Sequence, residues 1–373
     1  MTLHFEPLLR QRKALALYRR RRVRETFPAP EVTVDGRRLL AFCSNDYLGL
    51  AAHPALGRAL ARGAEEGVGS SASQLILGYS RAHRDLEEAL AEFTGYPRTL
   101  LFSSGYLANL GVMGALVGKG DTVLADRRIH ASLIDGIRLS GARLKRHLHR
   151  REGAGEAALI VTEGVFSMDG DISPLPAIAS LAEDRGIPLV VDDAHGFGIL
   201  GDSGKGSLEH WQLGREQVAV LVGTLGKALG TFGAFVAGSG DFIEFLLQEA
   251  RTCIYTTAPP PPLARATLAS LRILQEEPWR REVLMARVRR FREGARELGL
   301  PLSPSRTPIQ PVILGSPERA LEVSGALLEH GILVPAIRPP TVPRGTARLR
   351  ITFSCLHREE HVDRLLEVLG AVL

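Results

Sequence analysis

Residues 218–235 read VAVLVGTLGKALGTFGAF. An uninterrupted apolar, β-branched run leads into a glycine-rich turn carrying one lysine, Lys227, and then into a second short strand candidate, GAFVAGS (233–239). A run apolar on both faces suits a strand inside a sheet that is covered on each side. Working outward, the same pattern recurs in RTLLF (98–102), DTVLAD (121–126), AALIVTEG (157–164) and IPLVVDDAH (187–195). Helical stretches such as YLANLGVMGALVG (106–118) and PLPAIASLAEDRG (174–186) separate most of these strands. That alternation predicts an α/β fold with a mostly parallel central sheet between about residues 95 and 240. Ligands of such sheets bind beyond the carboxyl ends of the strands. Here those ends read SSGY, DRRIH, TEGVFS, DDAH and TLGK, so the residues with chemistry to offer gather at one edge.

Farther along, APPPPL (258–263) breaks the chain. A long amphipathic helical region follows to about Leu298, interrupted near Pro278. After Pro301 come strand PVILGS, helix SPERALEVSGALLEHG, strand ILVPAIR, strand ARLRITF and helix EEHVDRLLEVLGAVL, the pattern of a smaller α+β domain. The reading therefore divides 373 residues into a basic helical arm (1–40), a large domain (41–275) and a small C-terminal domain (276–373). Residues 1–24 carry eight Lys and Arg against one acid, Glu6, so the rest of the chain is slightly acidic although the whole carries +5. Leu8, Leu9, Leu15 and Leu17 in that arm suggest a short amphipathic helix with a solvated basic face, and attraction of an anionic substrate is a second reading. The arm lacks interleaved aromatics, which argues against nucleic acid.

No segment has the ~18–20 uninterrupted apolar residues of a membrane span, and the charged N-terminus lacks a signal peptide's apolar core. A cytoplasmic location is the expectation. Cys43, Cys253 and Cys355 lie far apart, without C-x-x-C, and suggest neither a disulfide framework nor a metal site. His147 and His149 can in principle chelate a metal, but their cationic neighbours favour a solvated basic strand.

Lys227 is one of only five lysines. In an apolar, glycine-rich turn its amine would be partly desolvated and usable as a nucleophile. Asp192 ends the strand IPLVV, 35 residues earlier. A carboxylate at a buried strand end needs a cationic partner. A protonated pyridine nitrogen is one such partner, and keeping it charged makes the ring an electron sink. Backbone amides or an arginine would be the alternative. His195 can reach a phenolic oxygen on the same ring or be a packed turn histidine. FSSGYLANL (102–110) is a strand, a small-residue turn and a helix, and the amides of Gly105 and Tyr106 would hold a phosphate there. Thr224 offers a hydroxyl to that phosphate. GFGILG (196–201) matches G-x-G-x-x-G after a strand, but GDSGKGS follows in place of a helix, so it reads as a loop.

TLGKALGTFG (224–233) resembles the lysine signature of the class-II, fold-type-I pyridoxal-phosphate enzymes. CSNDYLGL (43–50), GYSRAHRDLEEALAEF (78–93), FSSGYLAN (102–109), HASLIDG (130–136), TEGVFSMDGD (162–171) and DDAHGFG (192–198) resemble the α-oxoamine synthases within that group. The resemblance runs from about residue 24 through nearly the whole chain. It implies a fold-type-I transferase in which Lys227 carries pyridoxal 5'-phosphate as a Schiff base. Asp192 would pair with the pyridinium nitrogen, His195 contact the phenolic oxygen and His130 stack on the ring. Gly105, Tyr106, Ser167 and Thr224 would complete the cofactor site. Thr257 matches a position from which a partner subunit reaches the phosphate, implying a homodimer with shared active sites. Arg338 would bind the substrate carboxylate near Asn45, while Arg24 and Thr341 match acyl-substrate contacts.

AIRPPTVPRGTARLRIT (336–352) is similar to the stretch typical of those family members that join L-alanine to a pimeloyl thioester, of coenzyme A or acyl-carrier protein, in biotin biosynthesis. The runner-up within the family joins glycine to acetyl-CoA, and a relaxed enzyme would accept both donors. A non-catalytic subunit of the same fold would need no Schiff-base lysine, and the intact Lys227, Asp192 and His195 argue against it. Two departures stand out. Ile129 occupies a position where the family more often has Asn or Ser, and SSASQLILGYS (70–80) replaces a glycine- and serine-rich run near the acyl thioester.

Overall fold

A computed structural model describes residues 4–146 and 157–373. His147 and His149 lie outside the described residues. The chain forms two compact units, one of Leu48–Ser167 and Ile172–Arg281, the other of Met1–Tyr47, Met168–Asp171 and Glu282–Leu373.

The first unit is built on a seven-stranded sheet: β1 (Arg98–Phe102), β2 (Thr122–Ala125), β3 (Arg143–Lys145), β4 (Leu159–Glu163), β5 (Leu189–Asp192), β6 (Val220–Thr224) and β7 (Ala234–Gly238). Their order across the sheet is β1-β7-β6-β5-β4-β2-β3. Only β7 opposes its neighbours, β1 and β6, and every other pairing is parallel. β4 and β5 are buried at every position, as their unbroken apolar runs require. Helices Gly105–Leu116, Ala131–Ser140 and Gly240–Glu249 cover one face, burying Val112, Met113, Leu133, Ile137 and Leu246 against Leu100, Val123, Val161 and Val222. On an opposite patch Phe197 packs edge-on against Phe93 and Phe235, with centroids 5.8 and 4.9 Å away. The stretch after His195, including GFGILG, is a series of turns, as its missing helix signal predicts.

The second unit holds two three-stranded sheets. One pairs Arg37–Ala41 with Glu31–Val34 on one side and Ile332–Leu333 on the other, and closes a small core of Val32, Val34, Leu39 and Ala41. The other pairs Ile309–Gly315 with Ala347–Thr352, and the latter with Ala336–Ile337. The expected single strand ILVPAIR is therefore two, one in each sheet. Pro335 stands between them and has no N–H to continue a ladder, while its carbonyl accepts from Arg350 N at 3.2 Å. The N-terminal helix spans Glu6–Ala14, but no residue of it is buried, and Leu8 and Leu9 are exposed.

Helix Arg81–Thr94 is joined to β1 through Glu87, whose Oε1 accepts from Leu101 N at 2.9 Å and whose Oε2 accepts from the Tyr79 hydroxyl at 2.7 Å. Burial pushes this carboxyl up to about 7, against the downward pull of its two donors. The fold thus keeps a proton that the unfolded chain releases near 4.5. Glu87 consequently costs stability as pH rises through that window and has no further effect above it. Glu87→Gln retains an acceptor for Leu101 and has no proton to lose. Its urea midpoint relative to the parent should therefore rise between pH ~4.5 and ~7 and then level off. A difference independent of pH would contradict the assignment.

Candidate active site

β1, β2, β4, β5 and β6 all run in one direction, so their carboxyl ends share an edge. Strand register places Glu163 beside Asp192 on β4 and β5, and Asp192 beside Val222 on β6. Asp192 is buried, and one of its carboxylate oxygens, Oδ1, accepts from Ala194 N at 3.0 Å. That turn carries His195, also buried, whose Nε2 lies 3.0 Å from Nζ of Lys227. Lys227 follows β6 by three residues and is half-buried. The expected lysine, aspartate and histidine are thus brought to the ends of neighbouring strands.

His130 follows β2 and caps helix Ala131–Ser140: its Nδ1 accepts from Ser132 N at 3.2 Å. The surrounding protein lowers its pKa, and the charge of Lys227 adds to that, outweighing Asp192 and Asp135. The residue remains exposed to solvent nonetheless, so a neutral imidazole is presented to the site. Gly105 is the first residue of helix Gly105–Leu116, and Ser104 caps it by accepting from Leu107 N at 3.3 Å. The first amides of this helix face the same sheet edge, the arrangement that favours an anion. Tyr106 is exposed and its hydroxyl donates to Asp135 at 2.7 Å. Ser167 is buried, and its amide hydrogen-bonds the Glu163 carboxyl. The Thr224 hydroxyl donates to Gly233 O at 3.2 Å and accepts from Gly226 N at 3.4 Å, which ties it into the lysine turn. Thr257 is exposed and pairs with Ser73 in an isolated antiparallel bridge.

The four residues expected to meet substrate belong to the other unit. Asn45 Oδ1 accepts from Arg350 at 3.1 Å and from the Tyr47 hydroxyl at 3.2 Å. Arg338 donates to the carbonyls of Ala16 and Tyr18, Arg24 to that of Thr26, and Thr341 N to Arg338 O at 3.1 Å. Ile129, a departure from the family pattern, is buried in the core of the sheet unit.

Several residues of this edge escaped the sequence reading. Glu163 is fully enclosed, and burial first, then the charge of Asp192, pushes its carboxyl well above the usual range. Lys227 and the backbone amides of Ser167 and His130 pull the other way. Asp193 is also buried; its Oδ2 accepts from Ser207 N at 2.7 Å, and burial pushes it up to about 7. Asn109 and Ser132 join Asp192 to His130 and are taken up below. The usable signal was position: Glu163 ends a strand as Asp192 does, and Asn109 is a lone amide in an otherwise apolar helix.

A primary amine, a buried carboxylate 35 residues earlier, a neutral imidazole and a helix N-terminus form a donor set that fits pyridoxal 5'-phosphate. An aldehyde carbon suits the amine, a protonated ring nitrogen the carboxylate, and the phosphate the helix amides. A side chain added at Gly105 would meet nothing within 4 Å, so the helix end is open to a ligand.

Comparison with known proteins agrees. Residues 37–369 match the aminotransferase class I and II family. The chain is 58% identical over 371 residues to the 8-amino-7-oxononanoate synthase of Pseudomonas aeruginosa, covering 97% of this chain and 92% of that one. The serine palmitoyltransferase of S. paucimobilis, solved with bound PLP and myriocin, superposes with a TM-score of 0.92 at 30% identity, covering 99% of this chain and 97% of that one. The 8-amino-7-oxononanoate synthase of Francisella tularensis superposes with a TM-score of 0.79 at 33% identity, covering 89% and 97%. The expected fold-type-I architecture and pyridoxal-phosphate dependence are both borne out.

Asp193 is enclosed by glycines: a Cβ on Gly164 or Gly196 would lie 2.1 Å from its Oδ1, and one on Gly206 2.0 Å from its Oδ2. We expect Gly196→Ala to lose about 1–3 kcal/mol of stability by overpacking. Gly114→Ala, on a helix position with nothing within 4 Å, should be neutral or stabilising. Denaturant unfolding of both variants measures the contrast; equal midpoints would mean that Asp193 is not confined as described.

Proposed function

The chain belongs to the class I and II aminotransferase family, and from that premise we propose that it condenses L-alanine with a pimeloyl thioester, releasing CO₂ and the carrier thiol, to give 8-amino-7-oxononanoate. The observation that carries this reading is the site at the sheet edge together with 58% identity over nearly the whole chain to a synthase of that name. The intact Lys227, His195 and Asp192 weigh against a non-catalytic subunit.

Bound at Lys227, pyridoxal phosphate supplies a sink for the electron pair left on a carbon that has lost its proton. The remaining work belongs to the chain. Nζ of Lys227 would hold the cofactor through its aldehyde carbon, and as an amine it would be the base placed to move a proton at the substrate Cα. His195 holds Nζ in position at 3.0 Å. Asp192, rigid at the end of β5, keeps a protonated ring nitrogen charged. His130 offers its imidazole face to the ring, and the amides of Gly105 and Tyr106, with Thr224, hold the phosphate. Arg338 is assigned to the alanine carboxylate by the fork geometry of its guanidinium. Asn45, Arg24 and Thr341 are assigned to the same substrates.

A homodimer completes this reading, with Thr257 reaching the partner's phosphate. Its support is the surface around Thr257. The exposed Leu75, Ile76, Leu77 and Tyr255 form an apolar stretch beside the Ser73–Thr257 bridge, and Ser71 and Ala72 are both held at positive φ (63° and 72°). Side chains in that backbone region cost about 1–3 kcal/mol each and persist where surroundings enforce them. Among the described residues no helix is long and apolar enough to cross a membrane, and we assign the enzyme to the cytoplasm.

Purified protein incubated with pyridoxal phosphate should show a visible band that borohydride reduction fixes to Lys227, detectable by peptide mass. Lys227→Ala should lose both the label and at least ~10⁴-fold of the L-alanine- and pimeloyl-CoA-dependent thiol release, the scale of removing a nucleophile. Glycine with acetyl-CoA should turn over far more slowly; a reversed ranking would replace this substrate assignment with the acetyltransferase one. A protein that takes up no cofactor would overturn the reading entirely.

A further inference from the structure

Asn109 sits on helix Gly105–Leu116, one turn past the phosphate-binding end, and is 1% exposed. Its Nδ2 lies 2.6 Å from Oδ2 of Asp192 and 2.9 Å from Oγ of Ser132. A carboxylate has no hydrogen to give, so the amide nitrogen must face Asp192, and both of its hydrogens are then committed. Ser132 Oγ, having accepted one of them, keeps its own hydrogen for Nδ1 of His130, 2.8 Å away. The backbone N–H of Ser132 donates to that same nitrogen at 3.2 Å. Nδ1 therefore accepts twice, and the imidazole proton is left on Nε2.

The amide oxygen of Asn109, Oδ1, is buried without a hydrogen-bond partner. Leaving a buried acceptor unpaired costs free energy, and a leucine or methionine at this core position would avoid that cost. The amide is retained where its two hydrogens span two groups that lie on different elements, β5 and the start of helix Ala131–Ser140.

We propose that Asn109 is a positioning residue for the reaction, which through one side-chain amide sets the orientation of the Asp192 carboxylate and, by way of Ser132, the tautomer and tilt of His130. This rests on the assignment of Asp192 and His130 to pyridoxal phosphate made above. With Oδ2 held by Asn109 and Oδ1 by Ala194 N, the Asp192 carboxylate is restrained at both oxygens, each of which keeps a lone pair for a ring nitrogen. With Nδ1 of His130 saturated, the imidazole is fixed as a neutral ring whose plane does not spin about the Cβ–Cγ bond. Asn109 touches neither cofactor nor substrate in this account; the two residues it fixes do.

The test is a pH titration of the visible band of the full-length holoenzyme, with the pyridoxal-phosphate dissociation constant, for the parent, Asn109→Ala, Asn109→Asp and Ser132→Ala. Thermal unfolding of each cofactor-free protein is run alongside. Asn109→Ala should weaken cofactor binding about tenfold or more and shift the titration midpoint by about one pH unit, as expected when a charge-assisted hydrogen bond to the ring's counter-ion is lost. Asn109→Asp, which sets a second carboxylate against Asp192, should weaken binding further as pH rises. Ser132→Ala removes one hydroxyl from the core and should fold; it breaks only the arm to His130. It should move the midpoint in the same direction by less, and Asn109→Ala/Ser132→Ala together should fall short of the sum of the two.

A midpoint and dissociation constant unchanged in both single variants, even with lowered thermal stability, would reduce Asn109 to a packing role and overturn the proposal. Should Asn109→Ala not fold, the Ser132→Ala midpoint decides alone, and a value equal to the parent's rejects the link. A parent that binds no pyridoxal phosphate removes the functional reading itself, and this proposal with it. A parent with a normal band and unresponsive variants removes only the proposal.

Discussion

The site depends on placing a carboxylate in the interior of a sheet next to a second one. Asp192 and Glu163 end adjacent parallel strands in register, both are buried, and Asp193 follows immediately. Two like charges at that spacing in a dry interior would repel each other strongly. The structure resolves this by keeping Glu163 and Asp193 toward their neutral forms: burial raises both, and the charge on Asp192 raises them further. Asp192 is set apart by its donors, the amide of Ala194 and the side chain of Asn109. Two of the three acids at this edge are thereby disfavoured as charges, and a cation is the partner that such an edge calls for. A buried carboxylate costs free energy unless such a cation or equivalent donors meet it. The fold's tolerance of this arrangement is the strongest physical reason to expect a cationic ring nitrogen there.

The strands and helices around this point were legible because each is a local statement of polarity. β4, β5 and β6 are uninterrupted apolar runs, and helix Gly105–Leu116 begins where a serine precedes a glycine. Lys227, Asp192 and His195 were legible because strand ends in a parallel sheet converge on one edge whatever the details of packing. Ile332–Ile337 was misread as one strand because nothing local says that its halves belong to different sheets; that is decided by Arg37–Ala41 and Ala347–Thr352, hundreds and tens of residues away. Asn109 and Ser132 lay inside quoted motifs and still went unremarked. Their role is a hydrogen-bond geometry between residues 83 and 23 positions apart, and periodicity carries no information about that.

The N-terminal helix shows the opposite failure. Its leucines suggested an amphipathic stripe, yet no residue of Glu6–Ala14 is buried. An apolar stripe describes a surface that benefits from cover and does not specify what provides it. In its own unit the following segment does make contact, since the Arg338 guanidinium donates to the carbonyls of Ala16 and Tyr18. Those carbonyls occupy some of the five donors of the guanidinium, so if Arg338 takes the substrate carboxylate as proposed, it would share or exchange these contacts.

Strand and turn divide the candidate site between them. Asp192, Glu163 and Asp193 are on or directly after strands and are enclosed, so the acids of this sheet edge are in place without a ligand. Lys227 stands in a turn, which suits the two tasks proposed for its Nζ, holding a cofactor and moving a substrate proton. That turn is anchored at its far end, where Gly230 (φ 63°) lies so close to Leu50 and Ala51 that a Cβ would sit 2.4 Å from Ala51 N. At its near end Gly226 is exposed, and a Cβ there would find only loose neighbours at 3.6 Å or beyond. Lys227 thus stands between a clamped and an open glycine, while Asp192 and Glu163 stay where the sheet holds them. Enclosed acids beside an amine carried on a turn are therefore a direct consequence of which residues fell on strands and which on the turn.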